Sequence, residues 1–269
     1  MDPRNGALLE FRQRHQLRSF SYESGNWRYY DVGAGPRTLL FLHGLAGAGD
    51  IWFQQIEAFS PSWRVLAPTY PAVASLAGLA AGVWALLEAA EVEKVAVVGS
   101  SLGGLLAQYL VADRPARIER VVFGNTFPPG HLEILKGRRL AALARWLPEW
   151  LVLGMMLRNS RQNLVPAAGG DGLLEFYLEE QYGKRMSKAE VLARSRAVFE
   201  AFTPPEPQMP HSIFEAANDP LIPPQVRADL KKLYPQAHVV DLRAVGHFPY
   251  LSHAASFNPA LADFLQSER

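Results

Sequence analysis

The sequence contains no cysteine. Thiolate nucleophiles, disulfide frameworks and cysteine-ligated metal centres are therefore excluded, and nothing marks a redox compartment. Lysine is scarce, with six among the 27 basic residues, the other 21 being arginine. Neither charge sign dominates: 27 basic residues against 26 acidic leave a net charge of +1. That balance carries no electrostatic footprint for nucleic acid or an anionic membrane, so neither is expected as a partner. Long apolar runs are also missing. The richest stretch, Ser75 to Ala90, is alanine-heavy and reads as a core helix, being shorter than the ~20 residues a membrane span needs. The first eighteen residues carry Arg4, Glu10, Arg12, Arg14 and Arg18 without an apolar stretch of signal length, so a cytoplasmic location is expected. There is no His-Glu-x-x-His pair and no Walker loop. No metal and no organic cofactor is expected.

What is present is an alternation of short β-type runs with helical stretches. It predicts an α/β protein with a mostly parallel sheet covered on both faces. Strands are expected at Trp27 to Val32, Thr38 to Leu42, Arg64 to Ala67, Lys94 to Val98, Arg120 to Phe123, Ser212 to Ala217 and His238 to Leu242. Helices are expected at Leu76 to Ala90, after Ser101, around Gln225 to Leu233, and from Asn258 to Leu265 after Pro259. About ninety residues without strand signals separate the strands near 120 and 212. The organisation is therefore read as a core of residues 1–127 and 211–269, interrupted by a helical cap at 128–210. The proline-rich Thr203 to Pro210 forms the return linker.

Between a buried strand and an amphipathic helix stands Gly99-Ser100-Ser101-Leu102-Gly103. A strand-to-helix turn this tight strains its central residue, and flanking glycines let strand and helix pass. Ser101 is thereby a candidate nucleophile held at the carboxyl edge of the sheet. A frame centred on Ser100 would need glycine where Val98 stands. A serine alcohol needs a base oriented by a carboxylate, and in this setting the chain order is Ser, then acid, then His. Of the seven histidines, His247 follows Val245-Gly246 in a loop leaving a late strand, and is the candidate base. Asp219, in Asn218-Asp219-Pro220 at the end of the strand Ser212 to Ala217, is the candidate acid. The strand near 120 ends in Asn125, which removes the alternative acid position there. The oxyanion of a tetrahedral intermediate needs two donors: the N–H of Leu102 and that of Leu45 in the turn His43-Gly44-Leu45. His43 is expected to brace that turn rather than do chemistry.

With these pieces the chain resembles the α/β-hydrolase superfamily over nearly its whole length. Tyr70-Pro71 after its strand, Leu102-Gly103-Gly104 with Leu106-Ala107-Gln108, Leu233-Tyr234-Pro235, and Gly246-His247-Phe248-Pro249-Tyr250-Leu251 are similar to the maspardin subgroup. That resemblance implies the α/β-hydrolase fold. It also implies a binding role, because the animal members carry asparagine at the position matching His247. This chain departs from them in having the histidine. Its own residues therefore predict a Ser-Asp-His serine hydrolase cleaving carboxylic esters through an acyl-enzyme. A non-catalytic binding protein and a carbon–carbon bond hydrolase are the alternatives. The substrate is expected to be a small hydrophobic ester, bound by Gly44, Met155 and Phe176, with Trp146, Trp150, Met156 and Tyr177 as further apolar candidates. Cap arginines 138, 139, 145, 158 and 161 are the groups a carbon–carbon hydrolase would use on a carboxylate.

Overall fold

A computed structural model describes residues 2–23 and 25–267. Its centre is an eight-stranded sheet in the order β1-β2-β4-β3-β5-β6-β7-β8. The strands are β1 (Arg18–Tyr22), β2 (Gly25–Val32), β3 (Thr38–Leu42), β4 (Arg64–Thr69), β5 (Val95–Ser100), β6 (Ile118–Gly124), β7 (His211–Glu215) and β8 (His238–Asp241). Strands β1, β2 and β4 pair antiparallel, and from β4 to β8 every pairing is parallel.

The central strands are apolar on both faces, and their alternation divides the core in two. Leu39, Phe41, Val65, Ala67, Ala96 and Val98 face one side. There they meet Leu8 and Phe11 of α1 (Pro3–Arg14), Phe53 and Ile56 of α2 (Phe53–Phe59), and aromatic residues near the C-terminus. Leu40, Leu42, Leu66, Val95 and Val97 face the other. That side is covered by α3 (Leu76–Ala89) and α4 (Leu102–Asp113). Two of the sequence motifs touch here: the Tyr234 hydroxyl donates to Gln108 Oε1 at 2.9 Å, and Gln108 Nε2 donates to the carbonyl of Phe127.

Residues 125–210 contain no strand among them. They run as α5 (Leu132–Leu135), α6 (Arg138–Leu143), α7 (Glu149–Asn159), α8 (Val165–Ala167), α9 (Gly172–Glu180) and α10 (Lys188–Val198), with π turns at Ser160–Leu164 and Gln181–Arg185. This segment is called the cap below. Residues 199–210 return to β7 without helix or strand. The chain ends in α11 (Pro224–Leu233), α12 (Pro249–Ser252) and α13 (Ala254–Gln266). Among the described residues no helix is long and apolar enough to cross a membrane.

Several elements differ from the expectation. Helices α1, α2 and α12 and edge strand β1 were not foreseen. In α1 only Leu8, Phe11 and Asn5 are buried, too few for a clear period, and in β1 no residue is fully buried. The terminal helix begins at Ala254, which puts Pro259 inside it. The carbonyl left without a donor by Pro259 belongs to Ala255, an exposed position where water can serve it.

Candidate active site

Every residue picked as chemical lies at the carboxyl ends of the parallel strands, where open α/β sheets place their sites. Ser101 follows β5 directly and has φ 57° and ψ −119°, a strained conformation for a non-glycine residue. The turn is held from both sides. The Ser101 N–H donates to the Gly124 carbonyl at 2.9 Å, and the Thr126 hydroxyl donates to the Ser101 carbonyl at 2.7 Å. A Cβ on Gly103 would stand 2.1 Å from the Leu42 carbonyl oxygen, and one on Gly99 2.1 Å from that of Gly103. The glycines are thus required by close approach of backbone to backbone. Among the described residues the Ser101 hydroxyl makes no hydrogen bond, and it borders a cavity of about 370 Å³ that His247 also lines.

Asp219 leaves β7 and is buried beside His247. Its Oδ2 lies 2.7 Å from His247 Nδ1 and accepts from the Asn125 side-chain amide at 2.8 Å. Its Oδ1 accepts from the N–H groups of Leu221 (2.8 Å) and Ile222 (3.2 Å). Burial works to raise the Asp219 pKa, but the His247, Asn125 and Leu221 contacts outweigh it and hold the carboxyl below its ordinary value. An ionised Asp219 accepts from Nδ1–H, which makes Nε2 the nitrogen free to take a proton. The neighbouring Asn218 fixes the histidine loop: its side chain accepts from the Gly246 N–H at 2.8 Å and donates to the Ala167 carbonyl at 2.8 Å.

The turn after β3 lies against the elbow: a Cβ on Gly44 would come within 3.1 Å of Ser101 Cβ. His43 braces it from below. Its Nδ1 lies 2.7 Å from the Gly44 carbonyl, so it carries the proton there, and Nε2 accepts from the Tyr70 N–H at 3.3 Å. The His43 ring stacks on Tyr70 at 3.9 Å. Complete burial, with the positive Arg194 nearby, lowers the His43 pKa well below its ordinary value and keeps it neutral. Leu45 lines the cavity, and Leu102 opens α4, where first-turn N–H groups lack intrahelical acceptors.

The cap reaches into this turn with a residue the sequence did not single out. Arg194 of α10, 1% exposed, donates to the carbonyls of Leu45 and Gly47 (both 2.9 Å) and of Tyr70 (2.8 Å). Desolvation lowers its pKa. At the far end of the loop, the Tyr177 hydroxyl donates to Asp50 at 2.9 Å and accepts from the Ala48 N–H at 3.1 Å. Asp50 is also paired with Arg12 (2.8 Å) and Arg185 (2.6 Å). Read along the chain, Arg194 beside Arg196 looks like a solvated helix face, so no local signal could have found it.

The expected substrate residues are placed unevenly. Gly44 lines the cavity together with Met156, Ile134, Leu164, Tyr182 and Leu221. Met155 does not line it and is 43% exposed, because helix α7 turns its neighbour Met156 inward instead. Phe176 packs against the core and is not a lining residue either. Tyr177 anchors the loop, Trp146 and Trp150 face outward, and none of the five cap arginines reaches the cavity.

A family model describing the alpha/beta hydrolase fold matches residues 37–166. Mouse maspardin is 27% identical over 247 residues, 88% of this chain and 78% of that protein. A hydrolase from Pseudomonas aeruginosa superposes with a TM-score of 0.78 at 23% identity, covering 94% of this chain and 99% of that one. An enol-lactonase from Burkholderia xenovorans does so with a TM-score of 0.75 at 20% identity, covering 93% and 100%.

Proposed function

Since the chain has the α/β-hydrolase fold and resembles the maspardins, we propose that it is a serine hydrolase of carboxylic esters. The observation that carries this is the buried 2.7 Å Asp219–His247 pair opening on the same cavity as Ser101 at its strained turn. In this reading Ser101 Oγ attacks the ester carbonyl carbon while His247 Nε2 takes its proton. Asp219 holds the imidazole and stabilises its charged form. The N–H groups of Leu102 and Leu45 receive the oxyanion. His247 then protonates the departing alcohol, and water, activated by the same histidine, cleaves the acyl-enzyme and frees the acid. A cavity of about 370 Å³, lined mainly by apolar residues with Glu133 and Asn159 among them, fits a short to medium hydrophobic ester. The enol-lactonase among the structural neighbours acts on a related bond, which agrees with this class.

A second reading, a protein that binds without turnover, is favoured by the maspardin resemblance. A carbon–carbon hydrolase loses support because the cap arginines do not line the cavity. The deciding experiment is fluorophosphonate labelling combined with hydrolysis of p-nitrophenyl esters of increasing acyl length. Wild type should be labelled and active, and Ser101→Ala neither. An unlabelled, inactive wild type supports the binder, and an active Ser101→Ala variant removes Ser101 from the mechanism.

A further inference from the structure

The outer face of the cap departs from an ordinary protein surface. Leu132, Leu140, Leu143, Trp146, Trp150 and Met155 all lie within 24 residues, and both tryptophans are 74% exposed. Scattered surface leucines need no explanation, but two tryptophans this exposed in one stretch do. Leu140, Leu143 and Trp146 recur every three residues through α6 and the 3-10 turn that follows it, which lays them along one side; Leu147 and Pro148 then run extended, and Trp150 stands in the first turn of α7. The other four tryptophans, 27, 52, 63 and 84, are buried.

The charge around this stripe has one dominant sign. Residues 132–158 carry Lys136, Arg138, Arg139, Arg145 and Arg158 against Glu133 and Glu149, a net +3 that leaves −2 for the rest of the chain. The near-neutral total, which argues against a membrane when counted over the whole sequence, therefore hides a local excess. Glu133 is already neutralised by Lys136 at 2.6 Å. Arg145 lies over the Trp146 ring at 4.7 Å. Beside the stripe, between α6 and α10, a cavity of about 420 Å³ is lined by Arg138, Arg145, Arg196 and Ser195, together with Glu200, whose carboxylate accepts from the Leu76 N–H at 2.7 Å. Among the described residues none of these three arginines pairs with a carboxylate.

We propose that this face of the cap docks on an anionic lipid surface, with Trp146, Trp150, Leu140 and Leu143 in the headgroup–acyl boundary and a lipid phosphate in the arginine-lined cavity. Exposed tryptophan and leucine flanked by arginine is the composition that settles at such an interface. Docking is peripheral, since no described helix can span. The position is also useful. Glu133, Ile134 and Gly137, adjoining the stripe, line the Ser101 cavity, so a docked cap brings that cavity close to the lipid surface. Docking itself does not depend on turnover at Ser101.

The test is co-sedimentation of the full chain with vesicles of phosphatidylcholine alone and of phosphatidylcholine with 30% phosphatidylserine. Intrinsic tryptophan fluorescence and hydrolysis of a short soluble p-nitrophenyl ester are followed in parallel. Binding should favour the anionic vesicles by about fivefold for each basic residue engaged, weaken in 0.5 M salt, and be accompanied by a blue shift. Trp146→Ser and Trp150→Ser should each reduce binding by roughly tenfold, with ester hydrolysis and thermal unfolding unchanged. Arg138→Gln with Arg196→Gln should lower the preference for the anionic lipid by about 25-fold, at about fivefold for each residue. If wild type binds neither vesicle, or binds both equally at all salt concentrations, the proposal is wrong. It is equally overturned if the tryptophan substitutions instead dissociate a dimer that ignores vesicles, which would make the stripe a contact between two copies. Wild type that binds anionic vesicles but hydrolyses no ester would count against the hydrolase reading and leave the docking proposal intact.

Discussion

Replacing Arg194 by methionine tests whether the cap sets the turn after β3, proposed to receive the oxyanion, or merely covers it. The guanidinium donates to three carbonyls, two of them, Leu45 and Gly47, in the turn itself. Hydrogen bonds to a charged donor contribute about 1.5–3 kcal/mol each, but part of that gain offsets the cost of burying the cation, which lowers its pKa. A net loss of about 2–4 kcal/mol is expected, lowering Tm by roughly 5–15 °C for a chain of this size. The catalytic effect follows from position. Removing an oxyanion donor outright costs about 10²–10³ in kcat. Arg194→Met loosens the Leu45 segment without deleting its N–H, and the turn keeps the Gly47–Gly44 bond at 3.1 Å and the His43 brace. We therefore expect kcat to fall by about 10- to 100-fold, with KM for p-nitrophenyl esters changed less than about threefold, because binding rests on cavity residues the substitution leaves alone. Arg194→Lys should recover part of the loss, since one ammonium can serve both loop carbonyls but not Tyr70 as well. The assay is steady-state kinetics at least 10 °C below the variant's own Tm. A folded Arg194→Met protein with kcat within about twofold of wild type would refute the reasoning and reduce Arg194 to a fastener of the cap.

Gly103→Ala should prevent folding or cost more than about 4 kcal/mol, because its Cβ meets backbone at 2.1 Å and cannot be relieved by a rotamer; urea unfolding measures it, and near-native stability would contradict the close approach. Asn125→Ala should lower kcat by about tenfold with KM nearly unchanged, by removing the 2.8 Å bond that helps hold Asp219 against His247; unchanged kcat would make Asn125 a packing residue only. Asp219 has its pKa depressed in the folded state, so it contributes stability that is fully present above its ordinary value of about 3.9 and is lost as pH falls through its lower folded value. Urea midpoints measured from pH 6 down to pH 2 should therefore fall more steeply for wild type than for Asp219→Asn, and parallel curves would show that the pairing contributes nothing.

The positions of most strands and the elbow were legible in the sequence because both are local. β3 matches its expected bounds of Thr38 to Leu42, β5 begins one residue later and ends two later than expected, and β6 extends its expected bounds by one or two residues, since a strand buried on both faces is a continuous apolar run flanked by turn residues. That Ser101, Asp219 and His247 stand at one edge of the sheet could be expected in advance because each follows a strand, and parallel strands deliver such positions to one edge whatever lies between them. The inward-facing side of the cap was not legible. Met155 and Met156 are equivalent in sequence, and only the rotation of α7 against the core decides which of them lines the cavity. Arg194, Tyr177 and Asp50 act across 124 to 149 residues of chain, and their bonds carry no period, spacing or composition. The same holds for the tryptophan stripe. Its residues and charges are plain in the sequence, but whether Trp146 and Trp150 fill a pocket or face solvent depends on how the cap packs, which is a property of the assembled core. The sequence by itself determined the fold class and which groups stand at the sheet edge. Tertiary packing decided how the cap grips the turn after β3 and which of its faces is left open.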